Sequence, residues 1–164
     1  MLKLTRKADY GLISLKHMAL KSGSASAREI ADCYGIPLPL LSKVLQRLAR
    51  SGFVQSEHGA NGGYRLSRDA GRISALEVIR SIDGPVFLTS CFTDEPECTL
   101  SGKCKVREPL RKVHEAIQGL LENISIADMC DAEELQGCGP HQNGLYSADA
   151  LRPAAGARER KELV

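Results

Sequence analysis

Residues 26–67 read SAREIADCYGIPLPLLSKVLQRLARSGFVQSEHGANGGYRLS. Ser26, followed by Glu29, is a capping box in which two helix-end amides are satisfied reciprocally. Ile30 and Ala31 supply the apolar contacts of a short helix, and Gly35 makes a turn. Pro37 and Pro39 introduce a longer helix running to about Arg50, with Pro39 suited to a first turn, where the missing amide hydrogen costs nothing. Leu41, Val44, Leu45 and Leu48 fall on one face of that helix. Pro39, Lys43, Gln46 and Arg50 point the opposite way, with Ser42 and Arg47 on the flanks. A short helix, a glycine turn and a longer helix with a Ser/Lys/Gln/Arg face is the helix-turn-helix pattern, whose second helix lies in the DNA major groove.

The rest of the stretch strengthens that reading. Two strand-like runs, Phe53–Glu57 and Tyr64–Ser67, flank His58-Gly59-Ala60-Asn61-Gly62-Gly63. Asn-Gly-Gly supplies the positive-φ positions of a hairpin tip. A hairpin directly after a recognition helix is a wing, and His58 and Arg65 are placed to reach phosphates or the minor groove. On the helix, Gln46 suits an adenine edge, Lys43 a guanine or a phosphate, and Ser42 either. Arg28, Pro39, Arg47 and Arg50 complete the candidate DNA-facing set. An aromatic content of 4% disfavours a single-strand binder that works by base stacking, and Tyr10 and Tyr64 suit the core or an interface.

Outward from this stretch, the chain stays helical. Thr5 caps a first helix to about Lys21, with Ala8, Leu12, Leu15 and Ala19 on its apolar face. Ser74 begins SALEVIRSIDG, with Leu76, Val78, Ile79 and Ile82 apolar, and Gly84-Pro85 stops it. A long helix spans about Lys105 to Asn123, with Pro109 in its first turn. Its apolar residues Val106, Val113, Leu120 and Leu110, Ile117, Ile124 form two sets that each repeat every seven residues, joined by Leu121. That narrow seam suits a second helix better than a globular core, and predicts a homodimer presenting two recognition helices to a palindromic operator in double-stranded DNA. Ser125 opens a short capped turn, SIADM. The expected organisation is a winged helix-turn-helix domain over 1–84, a cysteine loop over 85–105, a dimerisation helix with a short following helix over 106–134, and a flexible tail over 135–164. The fold class is mainly α with a small β-hairpin wing.

Charge and cysteine usage bound the function. The net charge of the 164 residues is +2, but residues 1–70 carry +6 and residues 71–164 carry −4. A basic N-terminal half is the footprint of a polyanion partner. There is no apolar run of transmembrane length, and Lys3, Arg6, Lys7 and Asp9 interrupt the N-terminus where a signal peptide needs an apolar region, so a cytoplasmic, membrane-free protein is expected. In a reducing cytosol six cysteines argue for metal or redox chemistry over a disulfide framework. Cys33, inside the helix-turn-helix, reads as a buried small hydrophobe, and Cys130 and Cys138 have no informative spacing.

Cys91, Cys98 and Cys104 lie in CFTDEPECTLSGKC, residues 91–104, with six and five residues between them. Thiolates select iron–sulfur clusters, zinc or copper(I). Structural zinc sites favour closer pairs, so an extended loop around a cluster edge suits this spacing better, while a cluster-free thiol switch stays open. Lys103 and Lys105 would stabilise the thiolates. No Gly-rich nucleotide loop or second cofactor motif accompanies the site, so no enzyme activity is expected; an iron–sulfur electron carrier is the alternative from another class.

Together LTRKADYGL, SAREIADCYGIPLPLLSKVLQRLARSGFV, GANGGYRLSRDA and the cysteine loop resemble the IscR/NsrR-type winged-helix regulators, collinearly over about residues 1–130. The opening MLKLTRKADYGL most resembles the proteobacterial regulators of the SUF iron–sulfur assembly operon. The resemblance implies a homodimeric DNA-binding repressor with an iron–sulfur cluster on Cys91, Cys98 and Cys104, 2Fe-2S ahead of 4Fe-4S. An IscR-like histidine ligand just after the third cysteine is absent, since that stretch reads Cys104-Lys105-Val106-Arg107, and His114 is expected to be an exposed helix residue. The NsrR-like pattern takes a carboxylate from the partner's first helix instead, and Asp9 stands at the matching position. The six-residue first gap departs from the family's usual spacing. Nitric oxide or redox state is the alternative signal within the same family.

Overall fold

The computed structural model describes residues 4–57, 62–93 and 103–130. The first helix, α1, is Arg6–Lys21, and Thr5 caps it by accepting from the Ala8 amide at 3.3 Å. Its inward face is Ala8, Gly11, Leu15 and Met18, while the expected Leu12 and Ala19 are half-buried at the edge. The rotation has a local cause. A Cβ on Gly11 would lie 2.3 Å from Ile82 Cδ1, so the bare backbone of Gly11 is itself a packing surface that hydrophobic periodicity does not register. Ser14 is buried on this helix but satisfied, its hydroxyl donating to the Tyr10 carbonyl at 2.6 Å.

Helix α2, Ala27–Tyr34, carries the expected Ser26/Glu29 capping box and ends at Gly35. Glu29 also faces Lys21 and the buried His17, whose other ring nitrogen lies 3.4 Å from the Tyr34 hydroxyl, so a polar brace ties α1 to α2. Burial alone would raise the Glu29 pKa; hydrogen bonds from Lys21, His17 and the Ser26 amide outweigh it and hold the carboxylate below its ordinary value.

Helix α3 is Leu38–Arg50, with Pro39 in its first turn. Leu41, Val44, Leu45 and Leu48 are all buried, as the sequence spacing predicts. Strands β1 (Val54–Glu57) and β2 (Gly63–Leu66) form an antiparallel hairpin in the register Val54–Leu66 to Glu57–Gly63. Arg68 pins its base: the guanidinium stacks 5.3 Å over the Phe53 ring and pairs with Glu77 at 3.1 Å.

Helix α4, Ala75–Asp83, begins with a second capping box, Ser74/Glu77, and buries Leu76, Val78, Ile79 and Ile82. Helix α5, Arg107–Asn123, has Pro109 in its first turn and buries no residue fully. Val106 is 59%, Val113 48% and Leu120 65% exposed, so one heptad set faces outward, while Leu121 packs against the core. After α5 the chain turns back. The Ala75 amide donates to the Ile124 carbonyl at 2.8 Å and the Ile126 amide to the Ile73 carbonyl at 2.9 Å. Ile126 is fully buried in the same core as Leu15, Leu45 and Ile79. The core therefore runs past residue 84, where a boundary is expected, and includes Val86 and Ile126.

Two expectations need correction. His114 is half-buried, not exposed, because its ring stacks on Phe92 at 5.1 Å and on Phe87 at 6.2 Å. Cys33 is half-buried and disulfide-bonded rather than a buried free thiol. The tail expected over 135–164 lies outside the described residues. Among the described residues no helix is long and apolar enough to cross a membrane.

Candidate functional site

Burying the leucine face of α3 turns its polar face outward. Pro39, Lys43, Gln46, Arg47 and Arg50 are exposed and Ser42 is half-buried, with Arg28 exposed on α2 and Arg65 on β2. These side chains are not equally available. Arg47 Nε donates to the Ser81 carbonyl on α4 at 2.6 Å. Arg65 is drawn along the hairpin to Glu57 at 2.8 Å and Gln55 at 3.0 Å. Arg50 Nε makes only a long contact, 3.4 Å, to the Gln46 carbonyl in its own helix. Arg28 and Lys43 form no ion pair with any described residue, which leaves their charges for a polyanion. His58 lies outside the described residues.

Of the three loop cysteines, Cys91 and Cys104 are described; both are free and half-buried, and Cys98 lies outside the described residues. Cys91 sits in a single 3-10 turn, Ser90–Phe92, that Phe92 anchors on His114 of α5. Cys104 precedes α5, between the exposed Lys103 and Lys105. Two free thiols of this kind fit the soft donor set of an iron–sulfur cluster. Asp9 is exposed in the first turn of α1 and bonds no described side chain. Among the described residues no three His, Cys, Asp or Glu side chains converge on one point.

The profile of the Rrf2 family, described as an iron-dependent transcriptional regulator, matches residues 4–132. The chain belongs to the Rrf2 family. Among Rrf2-type relatives, the HTH-type transcriptional regulator IscR of Klebsiella pneumoniae is 32% identical over 136 residues, covering 82% of this chain and 83% of that one. The structure of T. potens IscR is 29% identical with a TM-score of 0.62, over 87% of this chain and 94% of that one. CymR, the global cysteine regulator of B. subtilis, is 27% identical with a TM-score of 0.66, over 79% of this chain and 96% of that one. This Rrf2 protein is thus a DNA-binding transcriptional regulator of the IscR type with a winged-helix fold, not an enzyme.

Three contacts that bear on the candidate site are hard to read from sequence. The Arg47–Ser81 bond joins residues 34 positions apart. Thr5 donates from its hydroxyl to Asp83 Oδ1 at 2.6 Å and from its amide to Asp83 Oδ2 at 3.2 Å, across 78 positions. The Phe87–His114–Phe92 stack links the loop to α5. Only the last had a sequence signal: two aromatics beside the cysteine loop in a chain with three phenylalanines.

Proposed function

We propose that this regulator is a cytoplasmic homodimer that senses iron–sulfur status and represses the SUF iron–sulfur assembly operon through a palindromic operator. One observation carries the reading. A recognition helix with an outward polar face shares a fold with two free thiols, Cys104 just before α5 and Cys91 beside the Phe92–His114 stack on it. Lys43, Gln46 and Ser42 read base edges, Arg28 and Arg50 hold phosphates, and Arg65 and His58 serve the wing. Val106, Val113 and Leu120, exposed in register along α5, support pairing with the same helix of a second copy.

Cys91, Cys98 and Cys104 would hold the cluster, 2Fe-2S ahead of 4Fe-4S, with the partner subunit's Asp9 as fourth ligand. When bound, the cluster supplies an iron centre that oxidants and nitric oxide attack. The chain's own part is to place Cys104 between Lys103 and Lys105, whose charge partly offsets that of a bound cluster, and to fasten the loop to α5 through Phe92 and His114. Coupling between such a site and DNA is typically worth about 1–3 kcal/mol, or roughly 5–150-fold in affinity.

Anaerobic purification followed by native mass spectrometry counts iron, sulfide and subunits together, and is expected to find a brown dimer. Asp9→Ala should alter the visible spectrum, and Cys98→Ala should abolish it. A Cys98→Ala protein with full cluster occupancy would sink the cluster assignment. Absence of any specific shift on the protein's own promoter, in either cluster state, would sink the operator assignment. One observation favours a second reading, thiol-redox sensing: Cys33, in the first helix of the helix-turn-helix, is disulfide-bonded. Under that reading DNA affinity follows a thiol reductant in protein stripped of iron.

A further inference from the structure

The last turn of α4 holds three different partners with three consecutive residues. The Ser81 carbonyl accepts Arg47 Nε–H from α3 at 2.6 Å. Ile82 fills the space over Gly11 in the middle of α1. The Asp83 carboxylate accepts both the hydroxyl and the amide of Thr5, the residue that caps α1. Each interaction has a physical reason. The last four carbonyls of a helix have no partner inside it, so the Ser81 oxygen needs an outside donor, and a guanidinium also matches the negative end of the helix dipole. Asp83 stands at the opposite pole, the N-terminus of α1, where a carboxylate is favoured.

Immediately beyond this turn the chain leaves for the cysteine loop. Gly84 breaks α4 at φ 87°, a backbone conformation that side-chain-bearing residues rarely adopt. Val86 is buried, and its carbonyl accepts from Gln118 of α5 at 3.1 Å. Phe87 and Phe92 then stack on His114, and Cys91 stands beside Phe92. The first cysteine is therefore joined to the recognition helix by a short series of packed and hydrogen-bonded groups that ends at Arg47.

We infer that Arg47 is a positioning residue for DNA reading rather than a DNA-binding group, and that Ser81–Asp83 is the mechanical junction between the cysteine loop and the recognition helix. The inference rests on the operator-binding function proposed above, and its junction part rests on cluster sensing. Arg47 keeps its side chain on the α4 carbonyl and sets the angle at which α3 meets the groove. Lys43, Gln46 and Ser42 then meet the bases only if that bond holds.

The test uses the full chain and the Arg47→Gln and Arg47→Lys variants, with operator and random duplexes titrated by fluorescence anisotropy across a salt series. Removing one phosphate-binding cation per protomer removes two from the dimeric complex and lowers the slope of log affinity against log salt by about two. A positioning residue leaves the slope unchanged. The expected result is an unchanged slope with operator-over-random preference reduced about tenfold in both variants, since lysine keeps the charge but not the Nε–H geometry. Hydrogen exchange at the amides of residues 80–84 should quicken in both. Thr5→Val, which cuts the Asp83 hydroxyl bond without touching α3, should reduce operator preference in the same direction with the slope intact, and serves if the Arg47 variants fold poorly. A slope reduced by about two in Arg47→Gln, with Arg47→Lys like the parent, would overturn the positioning role. Unchanged preference in all three variants would do the same. The junction role predicts that the operator-affinity ratio between cluster-loaded and cluster-free protein shrinks at least threefold in Arg47→Lys; an undiminished ratio overturns it. Failure of the underlying function looks different: the parent itself would show no operator preference, or no difference between cluster states.

Discussion

Gly11→Ala is a demanding test of the packing described here. A Cβ at this position would stand 2.3 Å from Ile82 Cδ1, while the next atoms, Val78 Cγ1 and Val44 Cγ1, lie at 3.6 and 3.7 Å, ordinary van der Waals distances. The clash is thus with one methyl group. Two effects oppose each other. Alanine in a helix interior gains about 0.8 kcal/mol over glycine. Overpacking a dense core costs about 1–3 kcal/mol. Taking the middle of that range, Gly11→Ala should destabilise the protein by about 1 kcal/mol. Ile82→Val removes the offending methyl and alone should cost about 1 kcal/mol. In that background the alanine has room, so only its helix gain remains, and the double variant should return close to the parent. The coupling free energy is then about 2 kcal/mol, well above the few tenths expected for independent sites. Urea denaturation followed by far-ultraviolet circular dichroism measures it, with all four proteins at one protomer concentration because the dimerisation proposed above would add to stability. Gly11→Ala more stable than the parent, or a coupling below about 0.5 kcal/mol, would refute the close approach of α1 to α4.

Ile126→Ala should destabilise the winged-helix core by about 3 kcal/mol despite lying beyond the long helix, since the side chain is fully buried; urea denaturation checks it. Leu120→Glu, at a position 65% exposed, should convert a dimer to a monomer in light scattering while leaving the circular dichroism of the fold unchanged. Glu77 gives a pH dependence: burial alone would raise its pKa, but hydrogen bonds from the Ser74 amide and the Arg68 guanidinium outweigh burial and hold it below the ordinary 4.5. A carboxylate depressed in the folded state stabilises it above the unfolded value, and that contribution is lost as pH falls below 4.5 through the folded value. Glu77→Gln should therefore flatten the acid limb of stability against pH, read from denaturation midpoints between neutral and acidic buffers.

The helix faces were legible where the pattern is carried by side chains. Leu41, Val44, Leu45 and Leu48 announce α3, the Ser26/Glu29 capping box forms as its spacing predicts, and α4 starts after Ser74 as expected. The face of α1 is rotated from the one its side chains suggest because Gly11 packs without a side chain. Ile126 was invisible for a related reason: a five-residue turn is too short to show a period, and its burial depends on a backbone bridge to Ile73 formed across the whole of α5. At the candidate site, residue type identified the polar face of α3 but not which groups are already engaged. Arg47 and Lys43 look equivalent in sequence, yet one guanidinium is held by an α4 carbonyl while the other cation has no ion pair among the described residues. Helix ends far away in sequence decide that difference, and no local pattern encodes them.

The clasp of Ile124 and Ile126 onto Ile73 and Ala75 makes α5 a lever with a fixed fulcrum. The helix has 17 residues, so at roughly 1.5 Å per residue its arm is about 26 Å long. A movement of about 1 Å at the cysteine end tilts such an arm by only about 2°. Displacement grows with distance from the fulcrum. Leu120, close to it, stays nearly still, whereas Val106, at the far end, travels the full distance. In the dimeric, thiol-sensing function proposed above, the two ends of the exposed seam would do different work: one would keep two arms together while the other registers what happens at the thiols.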